Sequence, residues 1–173
     1  MDLAALIRNV PDFPKAGIQF KDITTLLLEP AAFRAVVDGW KTRYADYGIT
    51  KIVGAEARGF IFGAALAYAM DVPFVPARKR GKLPAATLAE TFELEYGSDT
   101  VEIHVDAIGA GDRVLLVDDL LATGGTMAAV ARLVSRLGAD VAEAAFVVEL
   151  PLLRGRDALR GIPVHCLVEF MVE

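Results

Sequence analysis

Hydrophobic residues along the chain follow two patterns, short uninterrupted runs and longer stretches with helical spacing. The clearest run, Val114–Val117, holds four branched apolar residues and predicts a strand buried on both faces, as in parallel sheets. Apolar side chains recur at helical spacing through Met127–Leu137, and Gly138 follows where a helix end favours a residue that tolerates positive φ. We therefore predict a strand, a polar loop and a helix in the middle of the chain.

The same order of strand, loop and helix occurs earlier in the sequence. Lys51–Ala55 predicts a buried strand, Phe60–Met70 a helix and Val72–Ala77 a further strand. Other predicted elements are an amphipathic start (Leu3–Val10), an extended segment (Ile18–Thr24), a helix from Glu29-Pro30 to about Tyr47, and two buried strands (Val141–Leu150 and Pro163–Phe170). Two successive βαβ units imply an α/β fold with a parallel sheet flanked by helices.

A different pattern separates the two units. Phe92–Tyr96 and Val101–Val105 both alternate apolar and polar residues, and Gly97-Ser98-Asp99 stands between them, which predicts a hairpin with one apolar face. The preceding residues, Ala85–Glu90, are predicted to form a mobile surface loop. Because the hairpin interrupts the alternation of strands and helices, we expect it to stand apart from the main sheet.

Composition narrows the class of protein. The 173 residues fit one domain, and a hydrophobic content of 54% suggests a buried subunit interface. A net charge of −5 argues against a nucleic-acid surface. The single Cys166 excludes internal disulfides and suits a cytoplasmic protein, and the longest apolar run, Gly59–Met70, is too short to cross a membrane. The two histidines, His104 and His165, lack the spacing of a metal site and are expected to be structural.

The polar loop after Val114–Val117 has the composition of a phosphate site. In Ala122–Thr126, Gly124 and Gly125 allow the backbone to approach a ligand closely, and the hydroxyls of Thr123 and Thr126 add donors. The amides of such a loop, together with the N-terminus of the following helix, attract anions. We predict that this loop binds a phosphate group.

Two carboxylates, Asp118 and Asp119, come directly before that loop. At the carboxyl end of a parallel strand they lie where open α/β sheets bind ligands, and ionised carboxylates suit the vicinal hydroxyls of a ribose. A P-loop would need a lysine after the glycines, and a dinucleotide fingerprint would need glycine where Ala128 stands. Phosphate and ribose together predict a sugar phosphate ligand, and a purely structural role for the two carboxylates is the alternative.

A basic cluster, Arg78-Lys79-Arg80-Gly81-Lys82, follows the strand of the first unit. An acidic protein that binds a polyanionic substrate needs such a local concentration of cations. The alternative is a solvated run of charges, which is common on protein surfaces. We expect the cluster to face the substrate because the rest of the sequence offers few other concentrated cations.

The stretch Asp118–Thr126 resembles the signature of the type I phosphoribosyltransferase family, which binds 5-phosphoribosyl-1-pyrophosphate (PRPP). The stretch alone identifies the superfamily. Five further stretches, in the same order along the chain, resemble the branch of the family that uses adenine, namely Pro11–Pro14, Phe20–Ile23, Arg58–Phe60, Arg78–Pro84 and Leu94–Gly97. The resemblance thus covers nearly the whole chain.

The resemblance implies a type I phosphoribosyltransferase fold in a single domain, 1–173, with an N-terminal hood over about residues 1–30 and a flexible catalytic loop and hairpin over about 82–105. The implied reaction is adenine plus PRPP giving AMP and pyrophosphate, a step of purine salvage. Mg²⁺ is implied as a cofactor held mainly by the pyrophosphate of the substrate, without dedicated protein ligands. A homodimer is implied, with basic residues contributed across the interface, and neither nucleic acid nor a membrane is expected as a partner.

The resemblance also implies roles for individual residues. The residues implied to bind phosphate and ribose are Asp118, Asp119, Ala122, Thr123, Gly124, Gly125 and Thr126. Those implied to face pyrophosphate are Glu56, Ala57, Arg58, Arg78, Lys79 and Lys82, with a cis peptide bond implied between Glu56 and Ala57. Glu95 and Arg58 are implied to be catalytic, with Tyr96 beside them in the loop, and Gln19, Phe20 and Lys21 are implied to cover the base.

Two positions depart from the family pattern. Arginine usually stands in place of Lys21, and an apolar residue in place of Gln19. Lysine cannot make the planar bidentate contact of arginine. Two alternatives therefore stay open, a transferase for hypoxanthine, guanine or xanthine, and a non-catalytic regulator that senses PRPP. The second would be expected to carry a DNA-binding extension or a basic face, and the sequence indicates neither.

Overall fold

Strands and helices alternate along the chain in the computed structural model, which describes residues 1–93 and 97–172. The strands are β1 (Arg8–Pro11), β2 (Gln19–Asp22), β3 (Lys51–Ala55), β4 (Phe74–Lys79), β5 (Thr87–Glu93), β6 (Ser98–His104), β7 (Arg113–Leu121), β8 (Asp140–Glu149) and β9 (Val164–Glu169). The helices are α1 (Thr24–Leu27), α2 (Pro30–Tyr44), α3 (Gly59–Met70), α4 (Gly125–Arg136) and α5 (Gly155–Ala158), with 3₁₀ turns at Ala4–Leu6 and Pro151–Leu153.

Seven of these strands form one sheet in the order β5-β6-β4-β3-β7-β8-β9. The pairs from β4 to β9 are parallel, whereas β5 and β6 add an antiparallel edge. β1 and β2 form a separate antiparallel ribbon. The α/β fold with a mostly parallel sheet is therefore confirmed.

The central strand β7 divides the hydrophobic core into two layers. Val114 and Leu116 pack on the side of α4, whereas Leu115 and Val117 pack on the side of α2 and α3. All four side chains are fully buried. The interpretation of this run as a strand covered on both faces is confirmed, and the reason is that both faces of the sheet carry helices.

Several predicted boundaries were wrong, including those of β4, which was expected at Val72–Ala77 and lies at Phe74–Lys79. β7 does not stop at Asp118 but continues to Leu121, because pairing with β8 continues through Leu120 and Leu121. α2 ends at Tyr44 rather than near Tyr47. The amphipathic start is a 3₁₀ turn followed by β1, whose partner β2 supplies its hydrogen bonds.

The hairpin differs from expectation in two respects. Most of the predicted surface loop 85–90 belongs to β5, which begins at Thr87 and pairs residue by residue with β6. The hairpin also joins the main sheet, because Arg78 and Lys79 of β4 pair with Glu102 and Val101 of β6. An exposed edge of β4 would leave backbone groups unpaired, and the hairpin supplies their partners.

Candidate active site

The predicted phosphate loop connects β7 to α4. Gly124 has a φ of 78°, in the left-handed region, and α4 starts at the next residue. The residues Ala122 to Thr126 surround a cavity of about 100 Å³, which is also lined by Asp118 and Phe146. The first amides of a helix have no partner within the helix, so this cavity lies where backbone donors are available to an anion.

The two carboxylates that precede the loop have unequal environments, and of the two Asp118 lines this cavity. Asp119 is buried and Asp118 is half-buried. Asp118 Oδ1 accepts a hydrogen bond from the backbone N–H of Asp119 at 2.9 Å. Burial raises the pKa of Asp118 well above its ordinary value, and the negative charge of Asp119 adds to this effect. Burial also raises the pKa of Asp119, against the opposing attraction of Arg58.

Gly59, the first residue of α3, allows Asp118 its position. A Cβ on Gly59 would lie 2.8 Å from Asp118 Oδ1 and 2.8 Å from the carbonyl oxygen of Val117. Any side chain at residue 59 would therefore push β7 and its carboxylate away. Gly59 lies in one of the stretches shared with the family, but nothing in the local sequence indicates its contact with Asp118.

Arg58 links the carboxylates to the N-terminal ribbon. Its Nε lies 2.9 Å from Asp119 Oδ2 in an ion pair, without the alignment of a hydrogen bond. Its guanidinium carbon lies 5.4 Å from the ring centroid of Phe20. The structure thus brings together residues that were predicted to contact ribose, pyrophosphate and base.

The basic residues of β4 are held by carboxylates of the same chain. Arg78 makes two hydrogen bonds to Glu56, with Nη2 to Oε1 at 3.0 Å and Nε to Oε2 at 3.3 Å. These bonds lower the pKa of Glu56. Lys79 donates its backbone N–H to Glu56 Oε2 at 3.0 Å, and its Nζ lies 3.2 Å from Asp99 Oδ2. Lys82 is exposed, and its carbonyl oxygen accepts a hydrogen bond from Arg78.

The basic region formed by Arg78 and Lys79 borders a second cavity of about 130 Å³. Its lining includes Glu56, Arg78 and Lys79 on one side and Thr126 on the other. Because Thr126 lines both cavities, the phosphate loop and the basic region are adjacent. The peptide bond between Glu56 and Ala57 is cis, as the resemblance implied.

The ribbon of β1 and β2 carries the residues predicted to cover the base. Phe20 packs edge-on against Phe13 with ring centroids 5.1 Å apart, beside a cavity of about 280 Å³ that is also lined by Val10 and Asp22. An apolar, aromatic lining of this kind suits a flat heterocyclic ring.

The two unusual positions of the ribbon share one partner, Asn9. Lys21 is buried, donates to Asn9 Oδ1 at 2.9 Å, and lies 4.4 Å from the ring centroid of Phe170. The side-chain amide of Asn9 in turn donates to Gln19 Oε1 at 2.7 Å. Lys21 and Gln19 therefore belong to one network, which the sequence analysis missed because nothing in the local pattern marks Asn9.

Two predicted residues, Glu95 and Tyr96, lie outside the residues that the structure describes. Within the described ranges, 1–93 and 97–172, no group of three or more His, Cys, Asp or Glu side chains could hold a metal ion. No described helix has both the length and the apolar character that a membrane span requires.

Known proteins resemble this chain over nearly its full length. Residues 24–161 match the phosphoribosyl transferase domain. Adenine phosphoribosyltransferase of Pasteurella multocida is 58% identical over 95% of this chain and 92% of its own length, and adenine phosphoribosyltransferase 4 of Arabidopsis thaliana is 56% identical over 95% and 90%.

Solved structures agree with these relatives. The crystal structure of adenine phosphoribosyltransferase from Thermoanaerobacter pseudethanolicus superimposes with a TM-score of 0.94 at 49% identity, over 98% of both chains. The enzyme from Saccharomyces cerevisiae, solved with adenine and an imino-altritol bisphosphate, gives a TM-score of 0.91 at 43% identity over 96% of both chains. The chain belongs to the phosphoribosyltransferase family of pentosyltransferases, and within it to the adenine phosphoribosyltransferases.

Proposed function

We propose that the chain transfers the phosphoribosyl group of PRPP to adenine and releases pyrophosphate. A ring nitrogen of adenine forms the bond to the anomeric carbon, the bond from that carbon to the pyrophosphate oxygen breaks, and the purine loses one proton. The observation that carries this proposal is the arrangement around Arg58, which touches both the ribose-binding carboxylate Asp119 and the aromatic Phe20.

The reacting carbon acquires positive charge as the pyrophosphate departs. Asp118 and Asp119 lie beside the phosphate loop, where their carboxylates would accept hydrogen bonds from the ribose hydroxyls. The loop would hold the 5-phosphate through its amides and through the hydroxyls of Thr123 and Thr126. Fixing both ends of the ribose in this way orients the anomeric carbon between base and leaving group.

The basic side of the site would receive the pyrophosphate. The resemblance implied that Arg78 and Lys79 act across an interface, together with Lys82. Both residues line the cavity next to Thr126 of their own chain, so we propose instead that they meet a ligand that extends from the phosphate loop of that chain. The phosphate oxygens of the substrate fit Mg²⁺, which prefers oxygen ligands and commonly binds through substrate phosphates and water. When bound on the pyrophosphate, Mg²⁺ would supply neutralisation of the departing charge.

Glu95 is proposed as the residue that manages the proton of the purine. This role follows from the family resemblance of Leu94–Gly97, which comes directly after β5. Arg58 is proposed to act beside it on the pyrophosphate. The ion pair between Arg58 and Asp119 would then be exchanged, at least in part, for contacts with the substrate.

Homodimerisation is a further part of the proposal. The face between α2 and α3 carries a groove of about 400 Å³, lined by Phe33, Val37 and Tyr68 among others, and Tyr68 is 91% exposed. An exposed apolar face of this kind is typical of a subunit interface.

We also propose that Lys82 acts on the site of the neighbouring protomer. The protein is further proposed to be cytoplasmic, as its single Cys166 suggests.

Mixing two inactive variants tests the shared site. Lys82→Ala and Asp118→Ala should regain activity when their subunits exchange, because a hybrid dimer would contain one site with both lesions and one with neither. Exchange without any return of activity would place Lys82 in the site of its own chain.

Selectivity for adenine is tested by turnover. Lys21 and Gln19 differ from the usual pattern of the family, and Asn9 joins them in one hydrogen-bonded network. This network does not by itself favour a purine other than adenine. We expect kcat/KM to be far higher for adenine than for hypoxanthine, guanine or xanthine. A higher value for any of these 6-oxopurines would reject adenine as the substrate and make the network the cause to examine.

A further inference from the structure

A short segment beneath the phosphate loop touches it through bare backbone. A Cβ on Gly124 would collide with the carbonyl oxygen of Gly155, and a Cβ on Gly155 would collide with the carbonyl oxygen of Ala122. The Gly155 Cβ would also lie 2.7 Å from Leu121 Cδ1. We infer that Gly155, together with an ion pair between Glu149 and Arg156, positions the phosphate loop for its ligand.

The helix α5, Gly155–Ala158, forms the floor segment beneath the phosphate loop. The ion pair fixes this floor segment to β8, the strand next to β7. Arg156 makes two short hydrogen bonds to Glu149, with Nε to Oε1 at 2.8 Å and Nη2 to Oε2 at 2.6 Å. Arg156 also donates to the carbonyl oxygen of Val164 in β9 at 3.2 Å. Glu149 is buried, so its carboxylate depends on Arg156 for its charged partner.

The position of Glu149 at the end of β8 places the floor segment next to the residue where the phosphate loop begins. Glu149 is the last residue of β8 and pairs with Leu121, the residue before the phosphate loop begins. The backbone N–H of Leu150 donates to the carbonyl oxygen of Leu121 at 3.0 Å. The chain therefore leaves β8 beside the loop, turns beneath it, and is clamped back onto β8 by Arg156.

The contact has a consequence for ligand binding. Backbone donors bind a phosphate well when their distances are close to 2.7–3.1 Å, so a small displacement of the loop lengthens several of them at once. A methyl group at residue 155 would separate the floor from Ala122, and loss of the ion pair would release the turn that presses Gly155 against the loop. Both changes should weaken binding of the 5-phosphate, whereas the base cavity is lined by other residues, Val10, Phe13, Phe20 and Asp22.

The identity of the ligand rests on the proposed function, and the experiment separates the two. Binding of ribose 5-phosphate and of AMP is measured by calorimetry for the unaltered protein, for Gly155→Ala and for the control Gly109→Ala. Gly109 has ordinary backbone angles and no atom within 4 Å of an added Cβ. Gly155→Ala should weaken both ligands by about tenfold or more, as expected for groups displaced from an oriented geometry, and Gly109→Ala should not.

Arg156 supplies the second test. Arg156→Gln should raise KM for PRPP by about tenfold, because the charged hydrogen bonds from Arg156 to Glu149 beneath the phosphate loop are lost. KM for adenine should stay near its original value, because the change is confined to that side of the site. Arg156→Lys keeps the charge without the bidentate geometry and should restore part of the affinity. A role in stability alone would lower Tm and leave KM for PRPP unchanged.

The outcomes of these experiments separate the positioning role of Gly155 and Arg156 from the proposed transferase reaction. If either variant folds and binds ribose 5-phosphate as tightly as the unaltered protein, the positioning role is wrong even where adenine is turned over normally. If the unaltered protein binds ribose 5-phosphate and the variants do not, but no adenine is turned over, the positioning role holds and the proposed reaction fails.

Discussion

Two loops lie at the same edge of the sheet and are built in opposite ways. The loop after β7 presents backbone and small residues, and backbone packs beneath it at Gly155. The loop after β3 presents charged side chains, and Glu56 in it already holds Arg78 and the amide of Lys79. The first loop therefore needs no exchange of partners to receive a ligand, whereas under the proposed function the second would exchange partners when pyrophosphate binds.

The two loops should contribute unequally to the free energy of substrate binding. Backbone donors at a helix N-terminus face open space and need no exchange. An arginine that leaves a carboxylate for a phosphate gains only the difference between two charged hydrogen bonds, each worth roughly 1.5–3 kcal/mol. We expect the phosphate loop to provide most of the affinity for PRPP and AMP, and the basic side to provide charge stabilisation during departure of pyrophosphate.

The largest expected effect concerns a residue of neither loop. Glu95→Gln keeps the shape of the side chain and removes its titratable group, so kcat should fall by about 10²–10⁴-fold, as is typical of general acid–base catalysis. KM for PRPP should change little, because both loops remain intact. Steady-state kinetics with PRPP and adenine measure this, and an unchanged kcat would leave Glu95 as an ordinary polar residue of the hairpin.

A second prediction tests the carboxylates beside the preformed loop. Asp119→Ala should weaken AMP binding by about 10–100-fold, because hydrogen bonds to a charged group contribute roughly 1.5–3 kcal/mol each. Calorimetric titration with AMP measures the change. Asp140→Ala, an exposed residue at the start of β8, is the control. Unaltered affinity in a folded Asp119→Ala protein would reduce this residue to a structural carboxylate.

A third prediction tests the exchange of partners directly. Glu56→Gln removes the charge that competes for Arg78, so pyrophosphate should bind about fivefold more tightly while AMP affinity stays constant. Glu143→Gln is a matched control, because Glu143 makes a similar bidentate pair with Arg43 between β8 and α2. Weaker pyrophosphate binding in Glu56→Gln would mean that Glu56 supports the basic side rather than competing with the ligand.

The smallest expected effect concerns stability. The raised pKa of Asp118 means that its ionisation opposes folding, so the unfolding free energy of the wild type falls as the pH rises above the unfolded value near 3.8. Asp118→Asn should therefore be more stable than the wild type at pH 7, because the variant has no carboxyl whose ionisation burial opposes. This gain should vanish only when the pH is well below the unfolded value of 3.8, at about pH 2 to 3, where the carboxyl is protonated in both states. Urea denaturation at pH 7 and at about pH 2 to 3 measures it, and a less stable Asn variant at pH 7 would contradict the electrostatic argument.

Much of the fold and the phosphate side of the site was predictable because the signals are local. The run Val114–Val117 and the helical spacing after it predicted β7 and α4, and Gly138 has the positive φ expected at the helix end, 88°. The loop Ala122–Thr126 does surround a cavity. Local hydrophobic spacing and glycine chemistry act within one stretch of chain, so a single stretch carries the whole signal.

The extent of the hairpin could not be predicted from its own pattern. The alternation in Phe92–Tyr96 indicated a strand, but β5 begins at Thr87 and the hairpin pairs with β4. The free edge of β4 and the length of β6 decide this pairing, and neither is visible in the residues 85–90. Strand assignments depend on which partner is available, more than helix assignments do.

Local periodicity and short stretches of characteristic residues were enough to predict the α/β fold, the glycine-containing loop between β7 and α4, and the family. Only the tertiary structure decided that Arg58 pairs with Asp119, that Gly59 makes room for Asp118, and that Gly155 lies against Gly124. The physical reason is that these contacts join separate elements at the sheet edge. Their strength comes from burial and close packing in three dimensions, which no stretch of sequence expresses alone.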